Sequence, residues 1–77
     1  MIEIVFPLLD EEAPEAQGVV STWFVDDGSQ VSAGTLLAEV QVTKIADEIT
    51  APTTGVLHQK AAEGEVVDQG AVVAVIE

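Results

Sequence analysis

The residue types in this chain leave few chemistries open, and an amine is the most prominent of them. Fourteen Asp and Glu stand against two basic residues, Lys44 and Lys60. There is no cysteine and a single histidine, His58. Thiol chemistry and Cys-based metal sites are therefore excluded. None of Ser21, Ser29 and Ser32 has an evident base partner, so nucleophilic catalysis has no constellation. His58 reads most simply as a surface residue on a strand. Asp26-Asp27 and Asp10-Glu11-Glu12 lack the alternate-position oxygen ligands of a Ca²⁺ loop, and read as turn and loop residues. A dependence of stability on Ca²⁺ would revive a metal.

Lys44 differs from these in its setting. It lies in the middle of Glu39-Val-Gln-Val-Thr-Lys44-Ile-Ala-Asp-Glu-Ile-Thr-Ala-Pro52. Leu36, Ala38, Val40 and Val42 approach it, and Ile45 and Ile49 lead away. Two strands that meet at a lysine make a hairpin with an amine at its tip. A tip projects its side chain away from the body, so a group carried there can reach several active sites. As an ammonium ion the amine is inert. A dedicated enzyme is needed to acylate it. A solvated turn lysine is the plain alternative.

The elements that hold this tip are strands. Apolar residues make up 48% of the chain and are mostly Val, Ile and Ala, which favours strands. Ile2 to Phe6 reads as a first strand ended by Pro7. Leu8 to Gln17 is acidic, contains Pro14 and reads as a long loop, either functional or merely solvated. Gly18 to Val25 is a strong strand, bounded by the turn Asp26-Asp27-Gly28. Gln30-Val31 is a very short strand before the turn Ser32-Ala33-Gly34. Leu36 to Val42 alternates, with Leu36, Ala38, Val40 and Val42 on one face and Leu37, Glu39 and Gln41 on the other. Ile45 to Thr50 leads out to a turn at Ala51–Gly55. Trp23 and Phe24 read as core and rim.

The second half repeats the first. Gly55-Val-Leu answers Gly18-Val-Val, and Glu63-Gly64-Glu65-Val66-Val67 answers Asp27-Gly28-Ser29-Gln30-Val31. Gly70 answers Gly34, and Ala71–Ile76 answers Thr35–Val40. Two copies are too few for a stacked array, so two interlocked halves related by a pseudo-two-fold are expected. Lys44 falls in the link between them. The architecture is then two small antiparallel sheets packed face to face, with a small open barrel as the alternative.

Composition sets outer bounds. Seventy-seven residues make one small domain, which buries only about 60% of its unfolded surface. The net charge of −12 rules out nonspecific binding to nucleic acid or an anionic membrane, because phosphate contacts need Lys and Arg. Solubility is the simplest reading of this acidity, and steering toward basic partners the other. No run approaches the length of a membrane span. The N-terminus lacks a basic n-region, so it does not read as a signal peptide. A cytoplasmic protein, or a mature domain from a longer one, is expected.

The tip itself breaks a local rule. Two-residue hairpin turns favour Asn-Gly or Asp-Gly, because φ > 0 is needed at both central residues. Thr43-Lys44 is poor by that rule, so a type I or wider turn held by the sheets is expected. Departure from local preference marks a place where function overrides foldability.

Over essentially its whole length the sequence resembles the lipoyl/biotinyl attachment-domain family, and the lipoyl branch more closely. Leu37–Gly55 resembles the attachment segment, a strand with a Glu-(Ile/Val)-(Glu/Gln)-x-Asp-Lys-Ala tip and an outgoing strand to a glycine. Val19-Val-Ser-Thr-Trp23 resembles the strand that ends in a buried Trp, and Asp27-Gly28 and Ala33-Gly34 the two turns. The resemblance implies an all-β flattened barrel (a barrel-sandwich hybrid) of two four-stranded antiparallel sheets with pseudo-two-fold symmetry. It implies covalent lipoic acid in amide linkage to Lys44. It also implies a carrier that performs no catalysis and shuttles acyl groups and reducing equivalents in a 2-oxo acid dehydrogenase complex. The implied partners are a lipoate-attaching enzyme, a thiamine-dependent 2-oxo acid decarboxylase, an acyltransferase core and dihydrolipoyl dehydrogenase. The isolated domain is expected to be monomeric, without nucleic acid or membrane. Residues 1–77 are expected to be the N-terminal module of a longer acyltransferase chain, in the cytoplasm, or in the mitochondrial matrix if the source is eukaryotic.

Three features favour lipoyl over biotinyl. Methionines do not flank Lys44, Glu39-Val-Gln is lipoyl-like, and the Leu8–Gln17 loop stands where lipoyl domains have a surface loop that the decarboxylase recognises. Recognition by partners is therefore assigned to Glu39, Gln41, Thr43 and Ile45 on the hairpin and to Asp10, Glu11 and Glu12 in the loop. The chain departs from the pattern at Thr43 (usually Asp), at Ile45 (usually Ala) and in its acidic, slightly longer loop. Asp47 takes a usually apolar position on the Ile45/Ile49 face, where an unpaired buried carboxylate would cost several kcal/mol. It is expected at the rim, or on an irregular strand. A biotinyl carrier, and an unmodified structural or regulatory barrel of the same fold, are the alternatives.

Overall fold

A computed structural model describes all residues from Met1 to Glu77 and is built of strands alone. They are β1 (Ile2–Val5), β2 (Gln17–Trp23), β3 (Gln30–Val31), β4 (Leu36–Val42), β5 (Ile45–Thr50), β6 (Gly55–Gln59), β7 (Val66–Asp68) and β8 (Val72–Ile76). The internal repeat of the sequence becomes an exchange between two four-stranded sheets, ordered β1-β8-β6-β3 and β5-β4-β2-β7. Shifting every label by four strands turns one sheet order into the other. Each half of the chain therefore gives strands to both sheets, and neither half can bury its apolar face alone.

The backbone repeats the symmetry in detail. Gly34 N–H donates to Ala51 O at 2.7 Å and Ala51 N–H to Thr35 O at 2.9 Å. In the other half Gly70 N–H donates to Phe6 O and Phe6 N–H to Ala71 O, both at 2.8 Å. Gly34 and Gly70 take φ of 89° and 88°, a left-handed turn that glycine enters without steric cost. Phe6 thus prolongs the edge of β1 by one residue, as the sequence suggests.

Alternation fails in β4, and the failure is duplicated in β8. Leu37 is fully buried, although strict alternation puts it with Glu39 and Gln41 on the outer face. A bulge lies between Leu36 and Ala38, whose partners Thr50 and Ile49 are adjacent residues of β5. The extra residue turns Leu37 inward and leaves Leu36 half-buried. Val73, the repeat of Leu37, is fully buried beside the matching bulge where β8 meets β1.

The core is one cluster between the sheets. Phe6, Val20, Leu37, Val40, Val42, Leu57, Val73 and Ile76 are fully buried in it. Each such side chain contributes roughly 1.5–3 kcal/mol of burial. Trp23 is half-buried, not buried, because its indole N–H reaches the edge of the core and donates to Ala61 O at 3.0 Å. Phe24 is exposed, as a rim residue should be. Two expected strand limits move. Gln17 opens β2, held by its side-chain donation to Asp68 Oδ1 at 3.0 Å, and β2 ends at Trp23 rather than Val25.

Candidate functional site

The molecule measures 34 × 19 × 17 Å, and the hairpin of β4 and β5 closes one end of it. Pairing runs from Leu36–Thr50 to Val42–Ile45, so Thr43 and Lys44 are the whole turn. Val42 is buried, which roots the turn in the core, while Thr43, Lys44 and Ile45 are exposed. The turn is not the expected type I, in which both central residues keep negative φ. Thr43 takes φ of 49°, and it is the one non-glycine residue with positive φ. The right-handed twist of the paired strands favours turns of the opposite hand, and here twist overrides the preference of a β-branched residue. Gln41 Nε2 donates to Thr43 O at 2.8 Å across the turn.

The Lys44 amine has no carboxylate partner within 4 Å, since the one basic–acidic side-chain contact in the structure joins His58 Nε2 and Glu77 Oε2 at 3.5 Å. The amine is thus exposed, on a turn rooted in the core at Val42, and free to form an amide. Those features fit a covalently attached acyl group.

The hairpin also carries four of the residues assigned to recognition. Gln41, Thr43 and Ile45 surround Lys44, and Ile45 is 40% exposed. Glu39 lies further down β4, directly opposite Glu48 of β5, so two like charges share the outer face. Asp47 is exposed, as expected for a rim position. β5 is an edge strand, and Ile49 is the one buried residue among its six. The Asp47 carboxylate accepts the Glu48 N–H at 2.8 Å, so it is neither buried nor unpaired.

Asp10, Glu11 and Glu12 belong to the connection 6–16 between β1 and β2. That connection returns to the sheet at Gln17 and Gly18. A Cβ on Gly18 would stand 2.7 Å from Gln41 O and 2.7 Å from the Val42 side chain. The structure therefore brings the loop's exit and the root of the lysine turn to the same end. Glu11 and Glu12 are exposed on this connection. Asp10 is engaged internally, its carboxylate accepting the Ala13 N–H at 3.2 Å.

The residue that sequence reasoning missed is Gln69. Its Oε1 accepts from Asp10 N–H at 2.8 Å, and its Nε2 donates to Ala13 O at 3.0 Å and Ala16 O at 3.1 Å. One side chain from the β7–β8 turn thus fastens the loop. The signal was present in the repeat, where Gln69 answers the small Ala33 of the first half.

Comparison with known proteins agrees with this geometry. The chain matches the biotin/lipoyl family, described as "Biotin-requiring enzyme", over residues 11–76. It is 34% identical over 61 residues to the dihydrolipoyllysine-residue acetyltransferase component of the acetoin cleaving system of Cupriavidus necator, covering 78% of this chain and 16% of that one. It is 37% identical over 60 residues to acetyl-CoA carboxylase of Dictyostelium discoideum, covering 78% of this chain and 3% of the carboxylase. Acetyl-CoA carboxylase 1 of Arabidopsis thaliana is 35% identical over 52 residues, 68% of this chain and 2% of the carboxylase. The solution structure of the lipoyl domain of the Azotobacter vinelandii 2-oxoglutarate dehydrogenase complex superposes with a TM-score of 0.81 at 27% identity, covering 100% of this chain and 96% of that domain. The chain belongs to the biotin/lipoyl attachment family, whose domains carry a covalently attached lipoyl or biotinyl group.

Proposed function

We propose that Lys44 is the attachment residue, that the group is lipoic acid in amide linkage, and that the domain is the moving carrier of a 2-oxo acid dehydrogenase-type complex. The observation that carries this is the unpaired, exposed amine on a two-residue turn whose neighbours Val42 and Ile45 are locked in register. The other lysine, Lys60, lies just past β6 with no such turn. Whole-domain similarity to a lipoyl domain and the acetyltransferase relative support lipoyl over biotinyl. So does the flank of Thr43 and Ile45, since the only methionine is Met1.

When bound, a lipoyl group supplies a dithiolane that can be reductively acylated, deacylated and reoxidised. The chain's own residues do the presenting. Val42 anchors the turn, the paired strands hold it out from the body, and the long lysine side chain gives reach. The decarboxylase, acyltransferase core and dihydrolipoyl dehydrogenase are the partners in this reading, after a lipoate-attaching enzyme. Glu11 and Glu12, exposed on the loop that leads into β2, are the residues the decarboxylase would read. The domain would be one module of an acyltransferase chain, consistent with its covering 16% of the acetyltransferase relative.

A biotinyl carrier is the second reading, favoured by the two carboxylase relatives. The deciding experiment is intact-mass measurement after incubation with lipoate and lipoate ligase, in parallel with biotin and biotin ligase. A lipoyl mass shift that disappears in Lys44→Arg is expected. A biotinyl shift alone would change the chemistry to carboxyl transfer, and no shift from either enzyme would leave a barrel with an unused lysine.

A further inference from the structure

Gln41 and Thr43 lie two residues apart on the arm that ends at Lys44, and both are exposed. Thr43 holds a left-handed backbone, φ 49°, which a β-branched residue adopts only under constraint. The Gln41 side chain supplies such a constraint, with Nε2 donating to Thr43 O at 2.8 Å. No other side-chain hydrogen bond reaches residues 43 to 45. Chemistry sets the orientation of the amide, because an oxygen there would face another oxygen. Thr43 O belongs to the peptide group whose nitrogen is that of Lys44. The bond therefore grips the plane from which the lysine side chain departs.

We propose that Gln41 is a positioning residue, whose amide holds the strained Thr43 turn and so sets the direction in which Lys44 is presented to the enzyme that acylates it. This rests on the reading that Lys44 is acylated. Acyl transfer to an amine depends on alignment of the reacting atoms, and a small misplacement at the tip is felt as lost rate. A glycine at position 43 would hold the left-handed conformation without support, so dependence on Gln41 should disappear in that background. This conditional dependence separates a brace from a residue that the enzyme touches directly.

The test uses the whole domain in four forms: unchanged, Gln41→Met, Thr43→Gly, and both together. Gln41→Glu, isosteric but unable to donate, repeats the first substitution. Initial rates of lipoylation are read by intact mass, and backbone ¹⁵N order parameters are measured for residues 43 to 45. With Thr43 present, loss of the amide should slow lipoylation roughly two- to tenfold, the range a net hydrogen bond supports, and lower the order parameters. With Thr43→Gly, the further change at Gln41 should alter neither. An equal slowing in both backgrounds would mean direct contact with the enzyme and would overturn the proposal. Unchanged rate and order in Gln41→Met and Gln41→Glu would overturn it as well. If the unchanged domain accepts no lipoyl group, the functional reading fails on its own. The order parameters then decide the brace, supporting it if they fall only with Thr43 present and refuting it if they do not fall.

Discussion

The two ends of this molecule are built from the same parts and finished differently. At one end β4 runs through Thr43 and Lys44 into β5. At the other, the matching strands β8 and β1 pair from Val72–Val5 to Ile76–Ile2 with no turn joining them. Gln41, which braces the lysine turn, is answered by Glu77 at the chain's end. The connections differ as well. Residues 6–16 join β1 to β2 at the lysine end, whereas residues 51–54 suffice to join β5 to β6 at the other. The lesson is that the duplicated parts hold the fold and the unduplicated parts single out the site. Lys44 has no counterpart, the acidic loop is answered only by the short 51–54 link, and its fastener Gln69 only by Ala33, whose side chain cannot hydrogen-bond.

The largest expected effect strikes the unduplicated tip. Lys44→Arg should abolish attachment completely while Lys60→Arg leaves it intact, both read by intact mass. Thermal melting of both variants should stay close to the parent, since exposed substitutions usually change stability by less than about 0.5 kcal/mol. A residual mass shift in Lys44→Arg would place the acceptor elsewhere and dissolve the contrast between the ends.

The duplicated bulges come next. Leu37→Ala should cost about 2–5 kcal/mol in urea unfolding, the range for truncating a buried leucine. Val73→Ala should destabilise by less, in step with the smaller volume removed, and by the same cavity mechanism. A chain this small has little stability to spare, so Leu37→Ala is expected to be partly unfolded at room temperature. If Leu37→Ala were neutral, the inward turn at the β4 bulge would be wrong.

Gly18 and Gly55 sharpen the comparison of ends. Both lie where a Cβ has no room. At Gly18 it would stand 2.5 Å from Phe6 Cζ and 2.7 Å from Gln41 O. At Gly55 it would press on Glu77 O and stand 2.6 Å from the Ile76 side chain. Gly18→Ala should cost about 1–3 kcal/mol, because core and central-strand backbone must move. Gly55→Ala should cost a similar amount, because the Glu77 backbone it meets is tied to Val56 by two hydrogen bonds of 3.0 Å and the Ile76 side chain beside it is buried. A much cheaper Gly55→Ala in chemical denaturation would show that the β1–β8 end yields more readily than the lysine end.

The smallest effect concerns the loop. Gln69→Ala removes the side chain that binds Asp10, Ala13 and Ala16, and should cost about 1 kcal/mol overall. Its clearer signature is faster amide exchange at Asp10, where the donor loses its acceptor, with strand amides unchanged. Uniformly faster exchange would mean that the loop supports the barrel rather than merely resting on it.

Much of this was open to reading along the chain. The apolar runs, the glycine turns and the repeat between halves determine the strands, their pairing into two sheets and the place of Lys44 at the link. Those features are local or periodic, so they survive without knowledge of the partner strands. What the tertiary structure decided is of another kind. A bulge breaks the alternation of β4, because the register of β5 against it is set by packing and not by residue type, and Leu37 turns inward as a result. The edge position of β5 leaves Asp47 in water, although its place in the alternation points to the core. Strand twist drives Thr43 to a positive φ against its own preference. Gln69 gains its role only when the β7–β8 turn is folded against residues 10–16, more than fifty positions away along the chain. The sequence by itself therefore determined the scaffold and the amine. The loop arises from contacts between distant segments, and the direction the amine faces from a turn conformation that paired-strand twist forces against residue preference, so neither is encoded by residue type along the chain.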